Sequence, residues 1–221
     1  MAALKISYSI YPSLLDAYLR FIRNDDDESF ESLINKINNV RTPQSEQQIK
    51  GVEFEKLIND CIDAKNSDIL VVPKYNGLYA TNHFEFKADV VEKIAGKLQY
   101  ATKKQEYLEC VIPSHEGNIK LYGIADYTFP EMIVDLKTTG SYECNRYKDN
   151  TQHATYSLIK KVNDQPIKAF KYLVTDFDRV YQETYLPTEI LHKKLMMIVF
   201  EFIGFVNYFS KYITNDKVFG G

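Results

Sequence analysis

One stretch constrains this chain more than any other. It runs from Leu121 to Gly140 and reads Leu-Tyr-Gly-Ile-Ala-Asp-Tyr-Thr-Phe-Pro-Glu-Met-Ile-Val-Asp-Leu-Lys-Thr-Thr-Gly. It parses as two short apolar strands. Gly123, Ala125 and Asp126 end the first; Met132, Ile133 and Val134 form the second, followed by Asp135, Leu136 and Lys137. The second run is apolar up to Asp135, as expected of a strand buried on both faces. An ionised Asp at the end of such a strand is costly to bury without a partner. Asp135 and Lys137 are two apart, so on a strand they point to one side and Leu136 to the other. Asp126 adds a second acid from the neighbouring strand. Two carboxylates and an ammonium aimed at one spot suit a divalent cation with a water positioned beside it. Taken alone, Asp-x-Lys on a strand is usually an exposed ion pair, so the rest of the chain has to decide.

The chain has 221 residues, enough for one large domain with a sizeable core. Its formal net charge of −3 excludes a protein that coats nucleic acid by bulk charge. Any such contact must come from a local basic patch or a metal. Cys61, Cys110 and Cys144 are scattered, with no C-x-x-C pair, which disfavours a zinc or iron–sulfur site and suits a reducing cytoplasm. No signal peptide is expected at Met-Ala-Ala-Leu-Lys. The most apolar segment, Leu195 to Phe209, is too short for a membrane span and contains Glu201.

In order, Ile6 to Leu15 reads as an extended entry into a helix, with Leu14, Leu15, Tyr18, Leu19 and Ile22 at helical spacing. Acids around Asp25–Glu28 suit the head of a second helix. Ser45 is a plausible cap for a third, whose stripe is Phe54, Leu57, Ile58, Cys61 and Ile62. Glu53 and Glu55 flank that stripe on opposite edges. Either can lean over the core, and periodicity does not choose between them; solvated positions are the usual fate of both. Asp68 to Tyr79 is expected to be hairpin-like, Phe86 to Leu98 helical, and Glu106 to Ile112 a strand that completes a three-stranded meander. After a polar loop from Tyr142 to Asn150, a helix near Thr151 stacks Gln152 and Tyr156 on one face. Strands follow at 169–175 and 180–186. A last helix, about 188–213, is apolar almost all round, which implies a core or an interface role. A single domain over 1–221 is expected, with an N-terminal helical portion at about 1–65.

The ordered set Glu55 (or Glu53), Asp126, Asp135, Lys137, Gln152 and Tyr156 resembles the PD-(D/E)xK nuclease superfamily. The likeness is to the branch with RecB-type nuclease domains, lambda-type exonuclease and the CRISPR-adaptation nuclease. Gly51-Val-Glu-Phe-Glu55 matches its helical G-x-x-x-E motif and Gly123-Ile-Ala-Asp126 its G-x-x-D element. Val134-Asp135-Leu136-Lys137 matches (D/E)-x-K, and Gln152-His-Ala-Thr-Tyr156 matches Q-x-x-x-Y. Ala125 replaces the proline common before the first Asp, the four cysteines of iron–sulfur relatives are absent, and Glu55 stands where many RecB-type enzymes carry His.

The resemblance implies a restriction-endonuclease-like α/β core: a central mixed β-sheet flanked by helices, in the order αβββαβ. It implies that Glu55, Asp126, Asp135 and the Leu136 carbonyl hold Mg²⁺ or Mn²⁺. Lys137 would serve the attacking water, and Gln152 and Tyr156 the substrate. The implied activity is metal-dependent hydrolysis of DNA phosphodiester bonds by an exonuclease of phage recombination, repair or DNA processing. A recombination or single-strand-binding protein is a candidate partner. The alternatives are an inactive nuclease-fold binder or scaffold, and a site-specific endonuclease. Lys103, Lys104, Arg146, Lys148, Lys160 and Lys161 are candidates to track a nucleic-acid backbone.

Overall fold

A computed structural model describes residues 5–24, 29–66 and 76–220. In chain order its elements are β1 (Tyr8–Ile10), α1 (Pro12–Ile22), α2 (Phe30–Ile37), α3 (Glu46–Asn66), β2 (Leu78–Ala80), β3 (Glu85–Lys87), α4 (Ala88–Leu98), β4 (Lys103–Ser114), β5 (Gly117–Phe129), β6 (Met132–Thr138), α5 (Gln152–Val162), β7 (Ala169–Thr175), β8 (Val180–Tyr185) and α6 (Glu189–Tyr208).

The helices start where local chemistry lets them. Proline opens α1, where its missing N–H costs nothing. Ser29 caps α2 by accepting from the Ser32 N–H; the acids expected at its head, 25–28, lie outside the described residues. Ser45 and Gln48 form a reciprocal capping box at α3, the Ser45 hydroxyl accepting from the Gln48 N–H and the Gln48 side chain from the Ser45 N–H. Thr188 caps α6.

Most of the expected 68–79 hairpin lies outside the described residues. The hairpin that is seen is β2–β3, pairing Tyr79 with Phe86. β5 runs on to Phe129, so Asp126 sits inside a strand rather than at its end. α6 stops at Tyr208, and two 3-10 turns, Ser210–Tyr212 and Asp216–Phe219, follow. Its buried stripe (His192, Leu195, Val199, Phe202, Ile203, Val206) packs into the core, while Ile190, Met197 and Tyr208 face outwards. Among the described residues no helix is long and apolar enough to cross a membrane.

The sheet is mixed, in the order β1-β5-β6-β7-β8, with β4 on the other edge of β5. β4–β5, β5–β6 and β7–β8 are antiparallel; β1–β5 and β6–β7 are parallel. Helices cover both faces, as a sheet with parallel pairs requires. On one side α1, α2, α5 and α6 pack around Ile133, Phe170 and Tyr172. On the other, α3 and α4 pack on Val134, Leu136 and Leu173. Consecutive residues of β6 thus serve opposite cores, which is why its sequence is apolar without alternation.

One edge of β5 is shared between two partners. β1 pairs with it at Ile119–Leu121, and β6 pairs with it only from Tyr127 onwards. Between these, residues 122–126 form a fork in the sheet.

Candidate active site

The candidate residues meet at this fork. Continuing the β5–β6 register by one step would set Asp126 opposite Asp135, but the ladder stops at Tyr127↔Val134. The Asp126 side chain takes over: its Oδ2 accepts from the Leu136 N–H at 2.9 Å. The strands part where two like charges would otherwise face each other.

Asp135 is 1% exposed. Its Oδ1 accepts from Gln152 Nε2. Its buried Oδ2 lies 2.7 Å from Lys137 Nζ but accepts no aligned hydrogen bond. The same-side geometry expected of Asp135 and Lys137 is therefore present. Gln152 is the first residue of α5, and that helix start is pinned from α1: Asp16 Oδ1 accepts from the Thr151 N–H at 2.6 Å and from its hydroxyl at 2.8 Å. One turn on, the Tyr156 hydroxyl donates to the Ile124 carbonyl at 2.8 Å, within the fork. The ring lies so close to β5 that a Cβ on Gly123 would fall 2.6 Å from two of its atoms.

Glu55 arrives from the opposite face. A Cβ at Gly51 would meet Thr138 Oγ1 at 2.7 Å, so glycine there lets α3 approach the end of β6. Glu55, one turn later, then faces the acids. Glu53 turns away and binds the β2–β3 hairpin, pairing with His83 Nδ1 and accepting from Thr81 and the His83 N–H. Of the two glutamates that helical periodicity left open, Glu55 is the one that lies beside the acids.

The three acids share one lysine, and the protonation of Asp126 and Glu55 reflects the crowding. Burial, then Asp135 and Glu55, raises Asp126 to about 8. Burial and then Asp135 push Glu55 up, against a smaller pull from Lys137 and Gln105. For Lys137, burial pushes downwards, but Asp135 beside it prevails and the ammonium is held above its ordinary value. Burial and then Asp135 raise the Tyr156 phenol to about 12, so it is a hydrogen-bond donor at neutral pH.

One further residue belongs to the site. Gln105 of β4 has φ of 50°, left-handed and unusual for a non-glycine residue. From there its Nε2 donates to Glu55 Oε1 at 2.8 Å and reaches Asp126 Oδ1 at 3.5 Å. Nothing in the sequence marks it, because glutamine carries no preference for that backbone region.

The candidate backbone-tracking residues fare unevenly. Lys160 is buried and, with Lys103, ion-pairs Glu106, which removes Lys160 from any surface role. Lys104 pairs with Asp63 and Lys161 with Glu189. Arg146 donates to the Ser141 carbonyl.

The donor set fits a hard divalent cation. It is all oxygen, over-supplied with negative charge, and includes a buried carboxylate oxygen without an aligned donor. Among the described residues no group of three or more His, Cys, Asp or Glu side chains is placed to hold a metal ion. An ion such as Mg²⁺ needs only one or two carboxylates, with waters and phosphate oxygens completing its shell.

No family model and no curated protein matches the chain. Solved structures do. A proposed exonuclease from Eubacterium rectale superposes with a TM-score of 0.51 at 16% identity, over 88% of this chain and 77% of that one. SSO0001 superposes with a TM-score of 0.46 at 12% identity, over 92% and 79%. The first likeness establishes a shared fold; the second score is too low to carry an argument.

Proposed function

We propose that this chain is a metal-dependent deoxyribonuclease of the PD-(D/E)xK superfamily, in its RecB-type and lambda-type exonuclease branch. The observation that carries the reading is the convergence of Glu55, Asp126 and Asp135 on one lysine, from three separate elements, at a fork in the sheet. A protein that only bound nucleic acid would have no need of such an arrangement, which costs stability. Glu55, Asp126, Asp135 and the Leu136 carbonyl would hold Mg²⁺ or Mn²⁺, which when bound lowers the pKa of water and offsets charge on the phosphate. Lys137, protonated and anchored by Asp135, orients the attacking water and donates to the developing negative charge. Gln152 holds Asp135 in place and offers its amide to substrate. Tyr156, fixed on Ile124, walls the approach. The shared fold with a proposed exonuclease supports the exonuclease form of this activity.

The test is hydrolysis of linear and circular DNA with Mg²⁺, Mn²⁺ or chelator. We expect metal-dependent loss of linear DNA, and loss of at least a thousandfold in rate in Asp135→Ala and Lys137→Ala. Undiminished cleavage in both variants refutes the assignment. Discrete cuts in circular DNA would instead indicate an endonuclease.

A further inference from the structure

A cleft of about 400 Å³ opens beside the acids, in the fork itself. Its walls are aromatic: Tyr11 follows β1, Tyr107 stands on β4, Tyr122 on β5 and Tyr156 on α5, and its inner end is Lys137 and Gln152. Tyr107 is 52% exposed and its cross-strand partner Ile124 51%, so the mouth is an uncovered apolar surface. The platform is nevertheless fixed. The Tyr107 hydroxyl donates to Glu109 at 2.8 Å, and Glu109 also holds Lys120 at 2.6 Å. Lys120 in turn lies 5.9 Å and 5.6 Å from the ring centres of Tyr107 and Tyr122. Tyr11 packs against Tyr122 at 5.5 Å and closes the far side.

An aromatic-walled slot of this size, with Asp16 in its lining and the Asp135-paired Lys137 and the Gln152 amide at its end, matches a flat ring whose adjoining phosphate meets the lysine and the amide. We propose that it receives one unpaired nucleobase of a DNA single strand, stacked on Tyr107 and Tyr122, with the adjoining phosphate directed to Lys137. The inference rests on the nuclease reading for what happens at the phosphate, but the slot can be tested without cleavage.

The experiment measures binding of fluorescein-labelled oligothymidylate by anisotropy in chelator, where no metal-dependent hydrolysis occurs. A blunt duplex of equal length serves as control. We expect Tyr107→Ala to weaken single-strand binding about tenfold, Tyr107→Phe to leave it within about twofold, and duplex binding to change little in either. Thermal melting checks that the variants fold. Independently of any variant, oligonucleotides with a single abasic position, scanned along the strand, should weaken binding to the unaltered protein at one position near the end and not at others. Equal single-strand affinity for Tyr107→Ala and the unaltered protein, or a flat abasic scan, overturns the proposal. Tyrosine-dependent binding in a protein that cleaves nothing with any metal would retain the slot and sink the nuclease reading alone.

Discussion

Replacing Asp126 by Asn should make the protein more stable at alkaline pH, while disabling the proposed chemistry. An unfolded Asp loses its proton near 3.8, whereas Asp126 in the folded protein holds it to about 8. Between those values the folded state binds the extra proton, so stability falls as pH rises, by up to about 1.4 kcal/mol per unit. From pH 5 to 8 the limit is thus about 4 kcal/mol. Glu55 lies in the same field, and a proton on Glu55 relieves Asp126, so about 2 kcal/mol is the realistic change. Asn keeps an oxygen for the Leu136 N–H and carries no charge to lose. In chelator at pH 8, Asp126→Asn should therefore melt about 4–8 °C above the unaltered protein, with the gap narrowing towards pH 5. Mg²⁺ should raise the melting temperature of the unaltered protein more than that of the variant. Equal or lower melting of the variant at pH 8, or a gap independent of pH, would refute the charge-cluster reasoning.

Other variants probe the scaffold. Gly123→Ala forces a methyl into the Tyr156 ring and should cost about 1–3 kcal/mol in denaturant unfolding, with loss of activity at intact secondary structure. Gln105→Leu removes the amide that steadies Glu55 and Asp126; its melting temperature should drop more at pH 8 than at pH 5, since the freed carboxylates then repel. Glu106 behaves oppositely to Asp126. Burial disfavours its charge, but hydrogen bonds from Lys103 and Lys160 outweigh that and hold it down at about 2. Its contribution is present above the ordinary Glu value of 4.5 and is lost as pH falls towards 2. Glu106→Gln should therefore cost about 1–3 kcal/mol at pH 7 and much less near pH 2, read from unfolding curves.

The legible parts of the site were those set by local periodicity. Period two put Asp135 and Lys137 on one side of β6, and a spacing of four put Gln152 and Tyr156 on one face of α5. The capping box at Ser45 was likewise a local signal. Long-range pairing hid the rest. Asp126 read as a strand end, because the apolar run fades there, yet β4 carries β5 on to Phe129. Glu53 and Glu55 are equivalent on an isolated helix; the closeness of Gly51 to Thr138 and the hold of Thr81 and His83 on Glu53 tell them apart. Gln105 depends on a backbone angle its residue type does not announce. Lys160 looked like surface charge because a buried Lys–Glu pair is formed by residues 54 positions apart.

The fork in β5 also has a mechanical meaning. Its two arms belong to different working parts: β1 walls the aromatic slot, while β6 carries Asp135 and Lys137. Both arms hang from one strand, through residues 122–126, where among the described residues no strand pairs on that edge and Tyr156 and the Asp126 side chain supply the hydrogen bonds instead. On the other edge the β4 ladder runs past these residues, so the spacing between slot and acids is held by β4. If the slot takes a base as proposed, that short span is a ruler between where the base is gripped and where its phosphate is presented.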